Sequence, residues 1–258
     1  MVERRDDHQS VIMGQTDLRR AYQDGQVARE YVGRRFESPL GSLLHRRQVD
    51  VVASVIAKQG VRRAVEIAPG PARVSVDVLS GLESAVLIDA SAQMLSEAAR
   101  RLRERGVRTP VHLVQADAFQ LPLVDRHDLV YSFRLIRHFE RSDRLRLYAQ
   151  IRSLLKPGGW LVFDAVNTVV SAPLRAKAAP GEYAHYDALL TPGEIRDELR
   201  EAGFDTVGLE GVQYRFGLLQ QIQYLVAPRS DGLARGLMAI VDKTGGPPLE
   251  WVVTCRRA

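Results

Sequence analysis

Glu66-Ile67-Ala68-Pro69-Gly70-Pro71-Ala72-Arg73 is the stretch on which the fold of this chain turns. It follows a short β-branched run at 64–67 and leads into a helical stretch at 72–82, so it reads as a tight turn of small residues between a strand and a helix. Such a turn brings backbone close to a ligand and aims helix N-terminal amides at it. A dinucleotide fingerprint, G-x-G-x-x-G, would put glycine at 68, 70 and 73, the last so that helix and strand can pack closely. Gly70 is present, but position 73 is arginine, which argues against NAD or FAD.

Outward from the turn, further runs at 85–89, 111–116, 128–133 and 160–164 alternate with helical stretches at 91–105 and 142–155. That alternation reads as βαβ units, hence an α/β fold on a parallel sheet. Ser91 and Ser142 are candidate N-caps, and Gly106 and Gly158 follow the last turns. Upstream, residues 1–13 are polar and aperiodic, and helical spacing appears at 17–36 and 40–58, so 1–60 is expected to be a flexible tail plus N-terminal cap helices. The core is expected over 61–258. Within it, 167–190 is rich in Ala, Pro and Gly and reads as a lid or binding loop. Thr191-Pro192-Gly193-Glu194 opens a helix to Ala202, and 204–210 and 250–255 read as two closing strands. Between these strands, 214–246 forms two apolar helical segments, through Leu219 and Ile222 and then Leu237 and Met238. They read as a cap on the sheet edge or a dimer contact; an alternative has them, with Arg229 and Arg235, touching an anionic bilayer.

Composition narrows the class. The chain has 258 residues, 45% hydrophobic and 26% charged, which excludes wholesale disorder and coiled coil. No window approaches the roughly 20 apolar residues of a membrane span, and the first ten residues lack an apolar segment typical of a secretory signal. A single cysteine, Cys255, excludes a disulfide framework and multi-cysteine metal sites, so a cytoplasmic protein without a metal is expected. The net charge of +5 rests on arginine runs such as Arg100 to Arg105. These are solvated helix faces, or else point to nucleic acid, a membrane or an acidic substrate.

Three acids complete the pattern. Glu66 precedes the turn, Asp89 ends the next strand, and Asp117 follows the third, all at strand carboxyl ends. Taken singly each is a helix cap or loop charge. Together they resemble the class I S-adenosylmethionine-dependent methyltransferases, in particular the ubiquinone- and menaquinone-type small-molecule enzymes. The segment 66–72 looks like that family's first motif, (D/E)-x-G-x-G-x-G; Ile88-Asp89-Ala90-Ser91 looks like its ribose-binding motif and Gln115-Ala116-Asp117-Ala118 like its adenine-binding segment. The resemblance is close over 61–164. It implies a Rossmann-like, doubly wound, mostly parallel seven-stranded sheet and S-adenosyl-L-methionine as cofactor. It places Glu66, Ala68, Gly70, Asp89, Ala90, Met94, Asp117, Ala118 and Ser132 around that cofactor, with Tyr31 covering its methionine end. Ala68 and Ala72 stand where the family has glycine. Alanine disfavours positive φ, so the turn is expected to use conformations that an L-residue tolerates.

Methyl transfer from a sulfonium is an in-line displacement, so the enzyme mainly orients the acceptor and excludes water. An alcohol or carbon acid also needs a base. His138, in Arg134-Leu135-Ile136-Arg137-His138-Phe139 beyond the fourth strand, is the first candidate, and His185 the second; a pocket-wall and a surface histidine are the competing readings. Phe133, Arg134, Arg137, Tyr183 and Tyr186 are expected to face the acceptor, where guanidinium groups suit a carboxylate, phosphate or phenolate. The acceptor is expected to be an oxygen or carbon of a quinone, natural-product or glycolipid precursor. Alternatives are an RNA methyltransferase and a non-catalytic binder of the same cofactor. Enzymes methylating exocyclic base nitrogens carry (N/D/S)-P-P-(Y/F) here, whereas this chain has Ser132-Phe133-Arg134-Leu135, so nucleic acid is not the expected partner. Monomer and homodimer both stay open.

Overall fold

The structure, a computed structural model, describes residues 36–258 except 123–125, 180, 181, 184 and 185. Its strands are β1 (Arg63–Ile67), β2 (Ser84–Asp89), β3 (Val111–Gln115), β4 (His127–Ser132), β5 (Leu155–Asn167), β6 (Leu189–Leu190), β7 (Phe204–Tyr214) and β8 (Pro248–Arg257). The sheet runs β3-β2-β1-β4-β5-β8-β7, and β6 pairs with β5 off this path. Pairings from β3 to β5 are parallel, whereas β8 is antiparallel to both neighbours. The expected seven strands are there, and the two-residue β6 is an addition.

The central strands are apolar runs because helices cover both faces. Alternation sorts their side chains: Ala64, Leu129 and Tyr131 point to one core, and Val65, Ile67 and Val130 to the other. On the first side lies α1 (Pro39–Gln59), through Val51, Val52 and Val55. It starts at Ser38, whose hydroxyl accepts the Gly41 amide, and stops at Gly60, which takes the left-handed φ of 60° that such a cap needs. The expected helix over 72–82 contracts to one turn, α2 (Ser75–Val78), because the residues before it are used by the turn. Ser91 caps α3 (Ala92–Glu104) as expected. The next helix, α4 (Arg141–Leu154), begins one residue after Glu140, so Ser142 lies inside its first turn and is not the cap.

The stretch 167–190 is not a loop throughout. Asn167 accepts the Val169 amide and starts α5 (Thr168–Arg175), which tolerates Pro173 within it. Thr191 and Glu194 then form a reciprocal capping box at the start of α6 (Pro192–Glu201). The insertion is helical as expected, as α7 (Phe216–Leu225) and α8 (Asp231–Val241). Leu219, Ile222, Ala234 and Met238 close over Leu43 of α1, beside the edge strand β7. Among the described residues no helix is long and apolar enough to cross a membrane.

Candidate active site

The chain leaves β1 at the centre of the sheet, moves outward through β2 and β3, and returns to β4 on the other side of β1. In such a sheet the crevice at the strand carboxyl ends, where the order reverses, is the natural ligand site. A cavity of about 300 Å³ lies there. Glu66, Ala68, Gly70, Asp89, Ala90, Met94, Asp117 and Ala118 line it, as do Phe133, Arg134 and His138.

The first turn departs from expectation in its backbone. Ala68, Gly70 and Ala72 all take positive φ, at 54°, 54° and 55°. Alanine therefore accepts the left-handed conformation rather than avoiding it, at about 1–2 kcal/mol each. Local hydrogen bonds hold it there: the Ala68 amide donates to Ile88 O at 2.8 Å, and Ala72 to Pro69 O at 3.1 Å. The Gly70 amide donates to Asp89 Oδ2 at 3.0 Å, and the Ser91 amide to Asp89 Oδ1 at 2.9 Å. Burial pushes the Asp89 carboxyl up, against the lowering effect of the Ser91, Gly70 and Ala90 amides.

Beneath the turn, Glu66 is buried and its carboxyl is pushed up to about 7, chiefly by burial and in spite of Ser75 and Arg73. The Ser75 hydroxyl donates to Glu66 Oε2, so Tyr131 OH, 2.7 Å from Ser75 Oγ, is the donor in that second contact. Arg73, read from the sequence only as a missing glycine, also lines the cavity. Its guanidinium stands over the Phe36 ring at 3.9 Å and contacts His45 Nδ1 at 2.6 Å. At the far end Asp117 Oδ1 accepts the Phe119 amide at 3.0 Å, and the Phe119 and Phe139 rings meet edge to face at 5.0 Å. Neither phenylalanine was signalled by a motif. Ser132 is buried below the cavity, its hydroxyl bonded to Ile67 O at 2.8 Å, so it joins β4 to β1 instead of lining the site.

On the acceptor side the expected residues separate. Arg134 has φ of 61° and donates its amide to Asp164 Oδ1 at 2.6 Å. That left-handed residue precedes the 3-10 turn Ile136–His138, so Arg134 and Arg137, both expected to face the acceptor, point to different sides. Arg137 does not line the cavity. It is buried behind the site, where its guanidinium meets Asp164 Oδ2 at 3.0 Å, Glu250 Oε1 at 2.8 Å and Asp187 Oδ1 at 2.8 Å. Tyr183 and Tyr186 do not line the cavity either. The Tyr183 ring lies under Arg175 at 4.6 Å, and Tyr186 contributes its carbonyl, which accepts from His138 Nδ1 at 2.8 Å. The same Nδ1 is 3.0 Å from Asp187 Oδ1. Asp187, which no motif announced, is the main residue that the sequence reading missed. His185 and Tyr31 lie outside the described residues.

Residues 64–159 match the family described as a methyltransferase domain. A ubiquinone biosynthesis O-methyltransferase of Burkholderia pseudomallei (strain 1710b) is 27% identical over 183 residues, which span 65% of this chain and 78% of that protein. Its namesake in Thiobacillus denitrificans (strain ATCC 25259 / T1) is 27% identical over 174 residues, 61% and 74% of the two chains. The structure of a magnesium protoporphyrin IX methyltransferase from Synechocystis PCC 6803 superposes with TM-score 0.69 at 14% identity, over 95% of this chain and all of the other (100%). The (4+2)-cyclase SpnF superposes with TM-score 0.57 at 23% identity, over 82% and 80%, so the shared fold alone leaves the reaction open. The motif order, the switch-point cavity and the domain match together make this chain a class I S-adenosylmethionine-dependent methyltransferase.

Proposed function

We propose that this protein methylates a hydroxyl oxygen of a small hydrophobic or anionic acceptor, with S-adenosylmethionine as donor. The bound cofactor supplies an electrophilic methyl group on a sulfonium. The cavity's chemistry fits that ligand from end to end. Asp89 still has lone pairs for ribose hydroxyls after taking the Gly70 and Ser91 amides. Asp117 suits the adenine amino group, Glu66 the methionine ammonium, and the backbone of the 68–70 turn the middle of the ligand.

The observation that carries an oxygen acceptor is the tautomer of His138. A carbonyl oxygen only accepts, so its contact with Tyr186 O puts the proton of a neutral ring on Nδ1 and leaves the lone pair on Nε2. A ring so fixed in the cavity wall is a general base for a phenol or enol, worth about 10²–10⁴ in rate. Phe133, Leu135 and Phe139 make the neighbouring wall apolar, and Arg134 offers a cation for an acidic substituent. The related proteins are named O-methyltransferases, which agrees with oxygen as the methylated atom.

The test pairs binding with turnover. Calorimetry should show binding of both S-adenosylmethionine and S-adenosylhomocysteine, abolished in Asp89→Ala. A panel of phenolic and enolic acceptors, scored by mass for the gain of one methyl group, should reveal products with the wild type. His138→Gln should cut kcat by about 10²–10⁴ while leaving cofactor affinity alone. Undiminished turnover in that variant would remove the base from the reading.

A further inference from the structure

We infer that Asp187 is the positioning residue of this site, holding the His138 ring in its working orientation as one member of a buried charge cluster that includes Arg137 and Arg175. The inference rests on the reading of His138 as the base, and it adds a residue that lies 49 positions downstream and belongs to none of the motifs.

Both Asp187 oxygens are engaged. Oδ1 faces His138 Nδ1 at 3.0 Å and Arg137 Nε at 2.8 Å; Oδ2 faces Arg137 Nη2 at 3.4 Å and also accepts from Arg175. The next residue locks the approach, since the Ala188 amide donates to Arg137 O at 2.7 Å. An imidazole whose Nδ1 is held by a carboxylate keeps its orientation and gains a counter-charge when Nε2 takes a proton.

Around the dyad stand Arg137 on the same 3-10 turn, Arg175 on α5, Asp164 on β5 and Glu250 on β8; Arg134 lies on the cavity side, and Glu140 and Arg144 sit beside the Tyr186 ring. The inner cluster holds two guanidiniums (Arg137, Arg175) and three carboxylates (Asp164, Asp187, Glu250), one negative charge in excess. Asp164 is 1% exposed and Glu250 6%, so solvent screens the excess poorly. Glu250 Oε2 is buried with no hydrogen-bond partner among the described residues. A proton on His138 restores neutrality, so the ring is placed to receive the acceptor's proton. Burial pushes the Asp187 carboxyl up, but the His138 hydrogen bond and the Arg137 charge hold it well below the usual carboxylate range, which keeps it ionised.

The experiment uses the full chain labelled with ¹⁵N-histidine, with the His138 signals assigned by their loss in His138→Gln. In the wild type, Nδ1 should carry the proton and Nε2 should titrate. Asp187→Asn should lower the His138 midpoint and cut kcat about 10–10²-fold, with affinity for S-adenosylhomocysteine held within twofold. Arg175→Gln removes a half-buried cation that meets the cluster at Asp187 Oδ2, and should move the midpoint and the acid limb of kcat/KM upward. This variant keeps the test open even if Asp187→Asn does not fold. A midpoint unmoved in either variant, or shifts of the same sign in both, would overturn the inference. Opposite shifts alongside undiminished turnover in His138→Gln would instead keep the positioning contact and strike out the base.

Discussion

Glu66 shows how one buried carboxyl can couple binding to pH. With its carboxyl pushed up to about 7 by burial, it is partly protonated at neutral pH. An ammonium group beside it would draw it to the carboxylate, so cofactor binding should release a proton and weaken below pH 7, by up to about tenfold per unit. Calorimetry in two buffers of different ionisation enthalpy should show this release, and Glu66→Gln should abolish it. Stability runs the other way from the usual carboxylate. The folded value lies above the ordinary 4.5, so this group favours the folded state below pH 4.5, and that contribution, at most about 3 kcal/mol, is lost as pH rises through 7. Melting curves should therefore show Glu66→Gln more stable than the wild type at pH 8 and no better at pH 4. In the turn above, Ala68→Gly should raise stability by up to about 1 kcal/mol, seen as a few degrees in Tm, because relief of a left-handed alanine outweighs glycine's freedom in the unfolded chain. Ala72→Gly should gain less, since it also removes a fully buried methyl. That strain was not legible: the chain shows alanine in place of glycine, and only the neighbouring strand shows which conformation the turn must keep.

Between elements, the contact most open to test is Arg144 of α4 against Glu198 of α6. Both are buried, and the guanidinium meets the carboxylate with two bonds of 2.8 and 2.6 Å while a third nitrogen donates to Phe139 O at 2.7 Å. Glu198→Ala should cost about 3–5 kcal/mol, because it leaves a buried guanidinium uncompensated; replacing both residues by apolar ones should cost far less. The Phe139 bond ties this pair to a wall of the cavity, so chemical denaturation and cofactor affinity should worsen together in the single variant. In the insertion, Met238→Ala should cost about 2–5 kcal/mol, whereas Ile240→Ser, on the exposed side of the same helix, should stay within about 0.5 kcal/mol. Element starts were legible where a side chain caps them, as at Ser91 and Thr191. They were less so where the cap is set by chain direction, as at Glu140, or where Ala and Pro conceal a helix, as in α5.

Across the whole molecule the arginine surplus divides into two populations. Arg100, Arg141 and Arg200 form exposed pairs with Glu104, Glu201 and Asp197, the solvated faces expected from composition, and such pairs contribute about 0–1 kcal/mol. Arg73, Arg137 and Arg144 are interior and hold together elements far apart in sequence. What the sequence by itself determined is the half of the cavity proposed to hold the cofactor: the 66–73 turn, Asp89 and Asp117 follow one another on three successive strands. Parallel strands with helical crossovers place their carboxyl ends together, so spacing along the chain translates directly into position. Only the tertiary structure decided the half proposed to take the acceptor. Residues 137, 164, 175, 187 and 250 meet because β8 runs antiparallel to β5, setting Glu250 beside Val166, and because β6 docks on β5 and carries Asp187 to the 3-10 turn. Those contacts depend on strand register and on side chains brought from 12 to 113 positions away.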